Sequence, residues 1–181
     1  MTRPLIESTL VSLDGVISHP ERWAVFDDEA RQWALANLRG YDGFVLGRTT
    51  YEIFHAAWAP IHGDPYLDAI NAAPKYVVSS APVDPGWNAT ALTGDPADAV
   101  AELKATPGRP LIKYGTGLLS RTLYRRGLID ELHLSISPVR VGAGKRLFED
   151  VDGPAPPLAL TSTRTLRTGV VILTYRVGPT G

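Results

Sequence analysis

Three short apolar runs in this chain stop abruptly at small or polar residues. Phe44-Val45-Leu46 ends at Gly47-Arg48-Thr49-Thr50, Tyr76-Val77-Val78 ends at Ser79-Ser80, and Leu111-Ile112-Lys113-Tyr114 ends at Gly115-Thr116-Gly117. A short run that is apolar without alternation reads as a strand covered on both faces. Such strands belong inside parallel sheets, because parallel neighbours need crossover segments, and those segments blanket the sheet. The stretches after Gly47 and after Gly117 carry helical patterns, which supplies the crossovers. The predicted fold class is therefore α/β, a three-layer α/β/α domain on a mixed, mostly parallel sheet.

The remaining pattern fills in that frame. Leu5 to Leu13 reads as a strand closed by the turn pair Asp14-Gly15. Asp27 is placed to cap a helix that carries Ala30, Trp33, Ala34 and Leu38 on one face. Residues 58 to 66 read as loop. Asp95-Pro96 opens a helix with a capping acid and proline in the first helical position. Leu128 to Val139 alternates, with Leu132, Leu134 and Ile136 on one side and His133, Ser135 and Ser137 on the other. Two Thr/Val-rich strands, around 158–165 and 169–177, are joined through Arg167-Thr168-Gly169 as an antiparallel hairpin.

The chain has 181 residues, so a single domain over 1–181 is expected. It has no cysteine, which excludes disulfides and thiol chemistry. Net charge is −1 with dispersed basic residues, which argues against a nucleic-acid partner. No apolar run reaches bilayer length, so a cytoplasmic protein without a membrane partner is expected. The four histidines show no metal-ligand spacing, and no metal is expected. No Gly-x-Ser-x-Gly occurs, so hydrolase chemistry is not expected.

In open α/β sheets ligands bind beyond the carboxyl ends of the strands. Thr49-x-x-Glu52 matches a capping box with Thr49 as N-cap and Thr50 as the first helical residue. A helix N-terminus there is an anion site. Gly47 lets a ligand come close, and Arg48 supplies a planar fork suited to phosphate. Gly115, Thr116 and Gly117 repeat the logic. Ser79 and Ser80, with Arg48, suit a ribose 2′-phosphate, which would mean NADPH rather than NADH. Plain turn and cap chemistry is the competing explanation for each strand end taken singly.

These residues resemble a known family. Ser12-Leu-Asp-Gly-Val-Ile17, Val45-Leu-Gly-Arg-Thr-Thr-Tyr51, Val77-Val-Ser-Ser80 and Gly115-Thr-Gly-Leu-Leu119 look like the dihydrofolate reductase fold. Gly127-Leu-Ile-Asp-Glu-Leu-His-Leu134, Pro138-Val139 and Gly142-Ala-Gly-Lys-Arg-Leu-Phe148 are similar to the reductase domain of riboflavin biosynthesis, the C-terminal half of a bifunctional deaminase–reductase. No deaminase half is expected within these 181 residues, since its zinc needs cysteine.

The resemblance implies an NADPH-dependent reductase of a small heterocycle, of the 5-amino-6-(5-phosphoribosylamino)uracil reductase type. It implies a cofactor site at Gly47, Arg48, Thr49 and Thr50, at Ser79 and Ser80, at Gly115, Thr116, Gly117, Leu118 and Leu119, and at Val16 beside the nicotinamide. It implies a homodimer. Asp28 is the candidate for binding the heterocycle and for catalysis, with Asp27 and Glu29 as neighbours that equally suit the helix dipole. Asp14 is a second catalytic candidate, and Ser135 a second substrate-binding one. Lys145 and Arg146 are candidates for a substrate phosphate.

The family's Gly-Gly pair reads Gly115-Thr116 here, and Leu-Pro-Trp is replaced by Glu21-Arg-Trp-Ala24, which points away from folate. The alternatives are a dihydrofolate, pterin or other small carbonyl or imine reductase, a flavin or deazaflavin enzyme, and a non-catalytic NADPH-binding domain.

Overall fold

A computed structural model describes residues 2–153 and 156–178. In chain order its elements are β1 (Leu5–Ser12), α1 (Asp28–Leu38), β2 (Gly43–Gly47), α2 (Arg48–Trp58), α3 (Pro65–Ala72), β3 (Lys75–Val78), β4 (Ala89–Leu92), α4 (Pro96–Ala105), β5 (Leu111–Tyr114), α5 (Leu118–Arg125), β6 (Glu131–Ser137), β7 (Leu158–Thr165) and β8 (Val171–Val177). Short 3-10 turns lie at Pro20–Arg22 and Pro85–Trp87. The chain forms two compact units. One is built on Arg31–Lys113 with the first few residues, and the other on Leu5–Ala30 with the chain from Tyr114 onward.

The first unit is a parallel sheet in the order β4-β3-β2-β5, with Phe44 opposite both Lys75 and Ile112, and Lys75 opposite Ala89. Phe44, Val45, Leu46 and Val77 are almost wholly buried, as an uninterrupted apolar run requires. Asp95 caps α4 as expected, accepting from Ala97 N at 2.9 Å and Asp98 N at 3.0 Å.

Asp64 does the same for α3, accepting from Tyr66 N at 2.9 Å and Leu67 N at 3.0 Å. That helix was not anticipated, although Asp64-Pro65 is the same signal as Asp95-Pro96. The glycine and prolines of the preceding loop masked it. Strand β4 was missed too. Its four residues are all partly open to solvent, so the apolar pattern that marks the inner strands is absent.

Lys75 begins β3 with no exposed surface. Its Nζ donates to Ile70 O at 2.5 Å and Asn71 O at 3.0 Å, the last carbonyls of α3, and lies 4.1 Å from the Trp87 ring centroid. A cation at a helix C-terminus is favourable, but burial pulls this ammonium down to about 8.

The second unit pairs β1 parallel to β6, with Ile6 opposite Glu131, and runs β8 antiparallel to both β6 and β7. The expected hairpin is present. Gly169 takes φ 83, and Leu166 and Val170 close the turn at 2.9 Å. Val11, Leu132 and Leu134 form a core with Ile17, Phe148, Leu173 and Tyr175 against it. The polar face of β6 is not a solvent face, since His133 is 8% and Ser137 1% exposed. Parallel strands with crossover helices plus an antiparallel C-terminal hairpin make a mixed α/β fold, as the sequence pattern predicts.

Candidate functional site

In the first unit the site grows from the end of β2. The helix starts one residue earlier than expected. Gly47 is the N-cap, at φ −75 and ψ 155, and Arg48 is the first residue of α2. Thr49 is therefore inside the helix and caps nothing. The capping box fails because Glu52 has a stronger partner: Arg48 Nε donates to its Oε1 at 2.8 Å. The first-turn amides of α2, at Arg48, Thr49 and Thr50, have no carbonyl one turn back to receive them.

The Arg48 guanidinium also reaches the loop after β3. Its Nη1 lies 3.3 Å from Ser79 Oγ and 3.3 Å from Pro82 O. Ser79 is buried, and its hydroxyl donates to Ala81 O at 2.8 Å. Ser80 is exposed. Two adjacent parallel strands thus bring a cationic fork, a hydroxyl and a helix start to one edge. Ser79 enters through the loop it shapes and the guanidinium it orients.

In the second unit the Gly115–Leu119 stretch joins β5 to α5. Gly115 takes φ 75, a backbone state that glycine adopts without strain, and its amide donates to Ser8 O at 2.9 Å. Gly117 is the N-cap of α5, as expected, with its amide on Ser120 Oγ at 3.0 Å. Leu118 is exposed and Leu119 partly so. Thr116 points its hydroxyl at a buried carboxylate, donating to Glu7 Oε1 at 2.8 Å.

The turn after β1 is a dense staple. Asp14 accepts from Val141 N at 3.0 Å, Gly142 N at 2.8 Å and Ser12 Oγ at 2.7 Å. The Val141 amide, the Ser12 hydroxyl and the Gly142 amide hold its carboxyl well below the usual range. Ser12 Oγ accepts in turn from Val16 N at 2.8 Å. Val16 itself is fully buried.

Arg146 donates to the Asp14 carbonyl, and Lys145 pairs with Asp150. Both cations considered for a substrate phosphate therefore have partners inside the unit. Asp27 caps α1 through Ala30 N at 2.9 Å, and Glu29 accepts from Arg167 N at 2.9 Å. Asp28 stands exposed at the first position of α1 and makes no side-chain hydrogen bond among the described residues. Ser135 is half-buried on β6, opposite Leu10 and Ile172. The stretch leading into α1 is fixed by the Val25 amide on Ser137 Oγ at 3.1 Å.

Sequence reasoning missed Glu7, whose signal was a lone charge in an otherwise strand-like run. It gave no role to Ser12 or Ser137, although Ser12 heads the Ser12–Ile17 motif and Ser137 lies on the polar side of its strand. Among the described residues no group of His, Asp or Glu could hold a metal ion. No helix among them is long and apolar enough to cross a membrane.

Residues 3–172 match the family described as RibD C-terminal domain. The chain is 30% identical to the uncharacterized protein YyaP of Bacillus subtilis (strain 168), over 96% of this chain and 94% of that one. Its fold is similar to a putative riboflavin biosynthesis protein from Shewanella sp. PV-4, with TM-score 0.74, 21% identity and coverage of 99% and 100% of the two chains. It is also similar to dihydrofolate reductase from Enterococcus faecalis complexed with NADP(H) and RAB-propyl, with TM-score 0.65, 13% identity and coverage of 99% and 100%. Matched over nearly its whole length, this chain belongs to the RibD C-terminal domain family and has the dihydrofolate reductase-like fold.

Proposed function

We propose that this protein is an NADPH-dependent reductase of a small heterocycle, of the 5-amino-6-(5-phosphoribosylamino)uracil reductase type. The observation that carries the reading is the Arg48 fork, set against Ser79 at the carboxyl ends of the adjacent parallel strands β2 and β3. A guanidinium bound along one edge keeps N–H groups on the other, and those match phosphate geometry. Arg48, with Ser79, Ser80 and the first amides of α2, is assigned the 2′-phosphate. The backbone of the Gly115–Leu119 loop is assigned the pyrophosphate, by family resemblance.

Bound NADPH would supply the hydride, and the protein supplies binding, orientation and a proton route. Asp28 is assigned the heterocycle, because its carboxylate stands free at the start of α1 while Asp27 and Glu29 are committed to an amide and to Arg167. Asp14 is assigned a shaping role: its carboxylate already accepts two amides and a hydroxyl, so it fixes the turn that carries Val16. The family resemblance further suggests a homodimer.

Fluorescence titration with NADPH, with NADH beside it, tests the cofactor. A spectrophotometric assay of NADPH oxidation with the riboflavin-pathway pyrimidine tests the reaction. NADPH-selective binding and turnover are expected. Binding of neither nucleotide would overturn the reading.

A further inference from the structure

The Gly115-Thr116-Gly117 loop has two faces with different jobs. A methyl group added at Gly115 or Gly117 would meet no atom within 4 Å outside the neighbouring residues. There is therefore room for a ligand beside both glycines, although their amides are held by Ser8 O and Ser120 Oγ. The Thr116 side chain instead engages the body of the unit. Its hydroxyl donates to Glu7 Oε1 at 2.8 Å and lies 3.0 Å from Thr9 Oγ1. One hydroxyl has one proton, so Thr9 is the donor in the second contact. Tyr124, on α5, places its hydroxyl 3.4 Å from the same Glu7 oxygen.

Glu7 has no exposed surface and Thr9 is 4% exposed. Burial, with the Glu7 charge beside it, pushes the Tyr124 phenol strongly up, so it stays protonated and able to donate. The strand, the loop and the helix after it therefore meet at one buried carboxylate.

A buried acid is costly unless its oxygens are satisfied. The partners named here are the middle residue of the loop and a residue of the helix that the loop opens. Folding that satisfies Glu7 thus fixes the loop. A preorganised loop binds more tightly, because less ordering is left for the moment of binding.

We propose that Glu7 is a positioning residue for the Gly115–Leu119 loop, acting through Thr116 and Tyr124 to hold the loop in the shape that leaves room beside its glycines for a pyrophosphate group. Thr116 then stands where a second glycine would leave the loop slack, and its hydroxyl compensates for the added side chain. The proposal rests on the NADPH reading above.

The test compares Thr116→Val, which keeps the shape and removes the hydroxyl, with Thr116→Ser, which keeps the hydroxyl. NADPH and adenosine 2′-monophosphate are both titrated, and the melting temperature is read alongside. The second ligand carries the 2′-phosphate but no pyrophosphate. Thr116→Val is expected to weaken NADPH by about tenfold and Thr116→Ser by less than about twofold. Adenosine 2′-monophosphate affinity should be unchanged in both.

Unaltered NADPH binding by Thr116→Val, or equal losses for both ligands, would overturn the positioning role while leaving the reductase reading in place. Wild-type protein that binds neither ligand would overturn the reductase reading itself, and this proposal with it. Should Thr116→Val fail to fold, Tyr124→Phe removes a donor from the same carboxylate and should weaken NADPH alone by about threefold. An unchanged Tyr124→Phe would then overturn the proposal.

Discussion

Replacing Arg48 with alanine should separate the two nicotinamide nucleotides. The guanidinium has five N–H groups. One is held by Glu52 at 2.8 Å, and Nη1 contacts Ser79 and Pro82 at 3.3 Å. That leaves room for about two charge-assisted bonds to a 2′-phosphate, each worth roughly 1.5–3 kcal/mol when well shielded. The side chain is 45% exposed, so solvent screening removes about half of that. The net loss is about 1.5–3 kcal/mol, or roughly 10- to 150-fold in Kd.

NADH lacks the phosphate and should change by less than about twofold. Titrating the intrinsic fluorescence of each nucleotide against wild-type and Arg48→Ala protein measures both. Equal losses for the two nucleotides would refute the assignment, because they would mean that Arg48 acts on a part the two share.

Asp28→Asn should lower turnover by about a hundredfold, in the range for loss of a positioned acid, while NADPH affinity stays within about twofold. An unchanged rate removes Asp28 from the mechanism. Lys75 predicts a pH effect on stability. Burial lowers its pKa to about 8 in the native protein, against 10.5 for the free side chain. Between those values the unfolded chain binds more protons, so stability gains from this group as pH rises and loses as pH falls through the native value. Denaturant unfolding of wild-type and Lys75→Met protein at about pH 8 and about pH 10 should show the difference moving in favour of wild type by about 2 kcal/mol. A constant difference would show that Lys75 keeps its ordinary proton.

The inner strands and the caps were open to sequence reasoning because they depend on residues only a few positions apart. Phe44–Leu46 is buried because it is uniformly apolar. Asp95 caps α4 because its acceptor sits two and three residues from its donors. Gly169 turns the hairpin because a positive φ is needed between two Thr/Val-rich strands. At the start of α2 local reasoning failed on competition. Thr49-x-x-Glu52 has the spacing of a capping box, yet Glu52 is taken by Arg48 and the helix starts a residue sooner. The sequence offered both partners and could not rank them.

The candidate site divides along the same line. The sequence alone determined that Gly47-Arg48, Ser79-Ser80 and Gly115-Thr116-Gly117 lie at strand ends, since each follows directly from an apolar run and its stop. Only the tertiary structure decided what each polar group does there. Asp14 is a staple because Val141 and Gly142, more than a hundred residues on, present their amides to it. Glu7 holds Thr116 across a separation of 109 residues. Lys145 and Arg146 are spent on Asp150 and the Asp14 carbonyl. Periodicity and capping are properties of neighbouring residues and can be read along a chain. The partner of a buried charge is set by whichever donors the folded sheet brings within about 3 Å of it, and no local pattern encodes that distance.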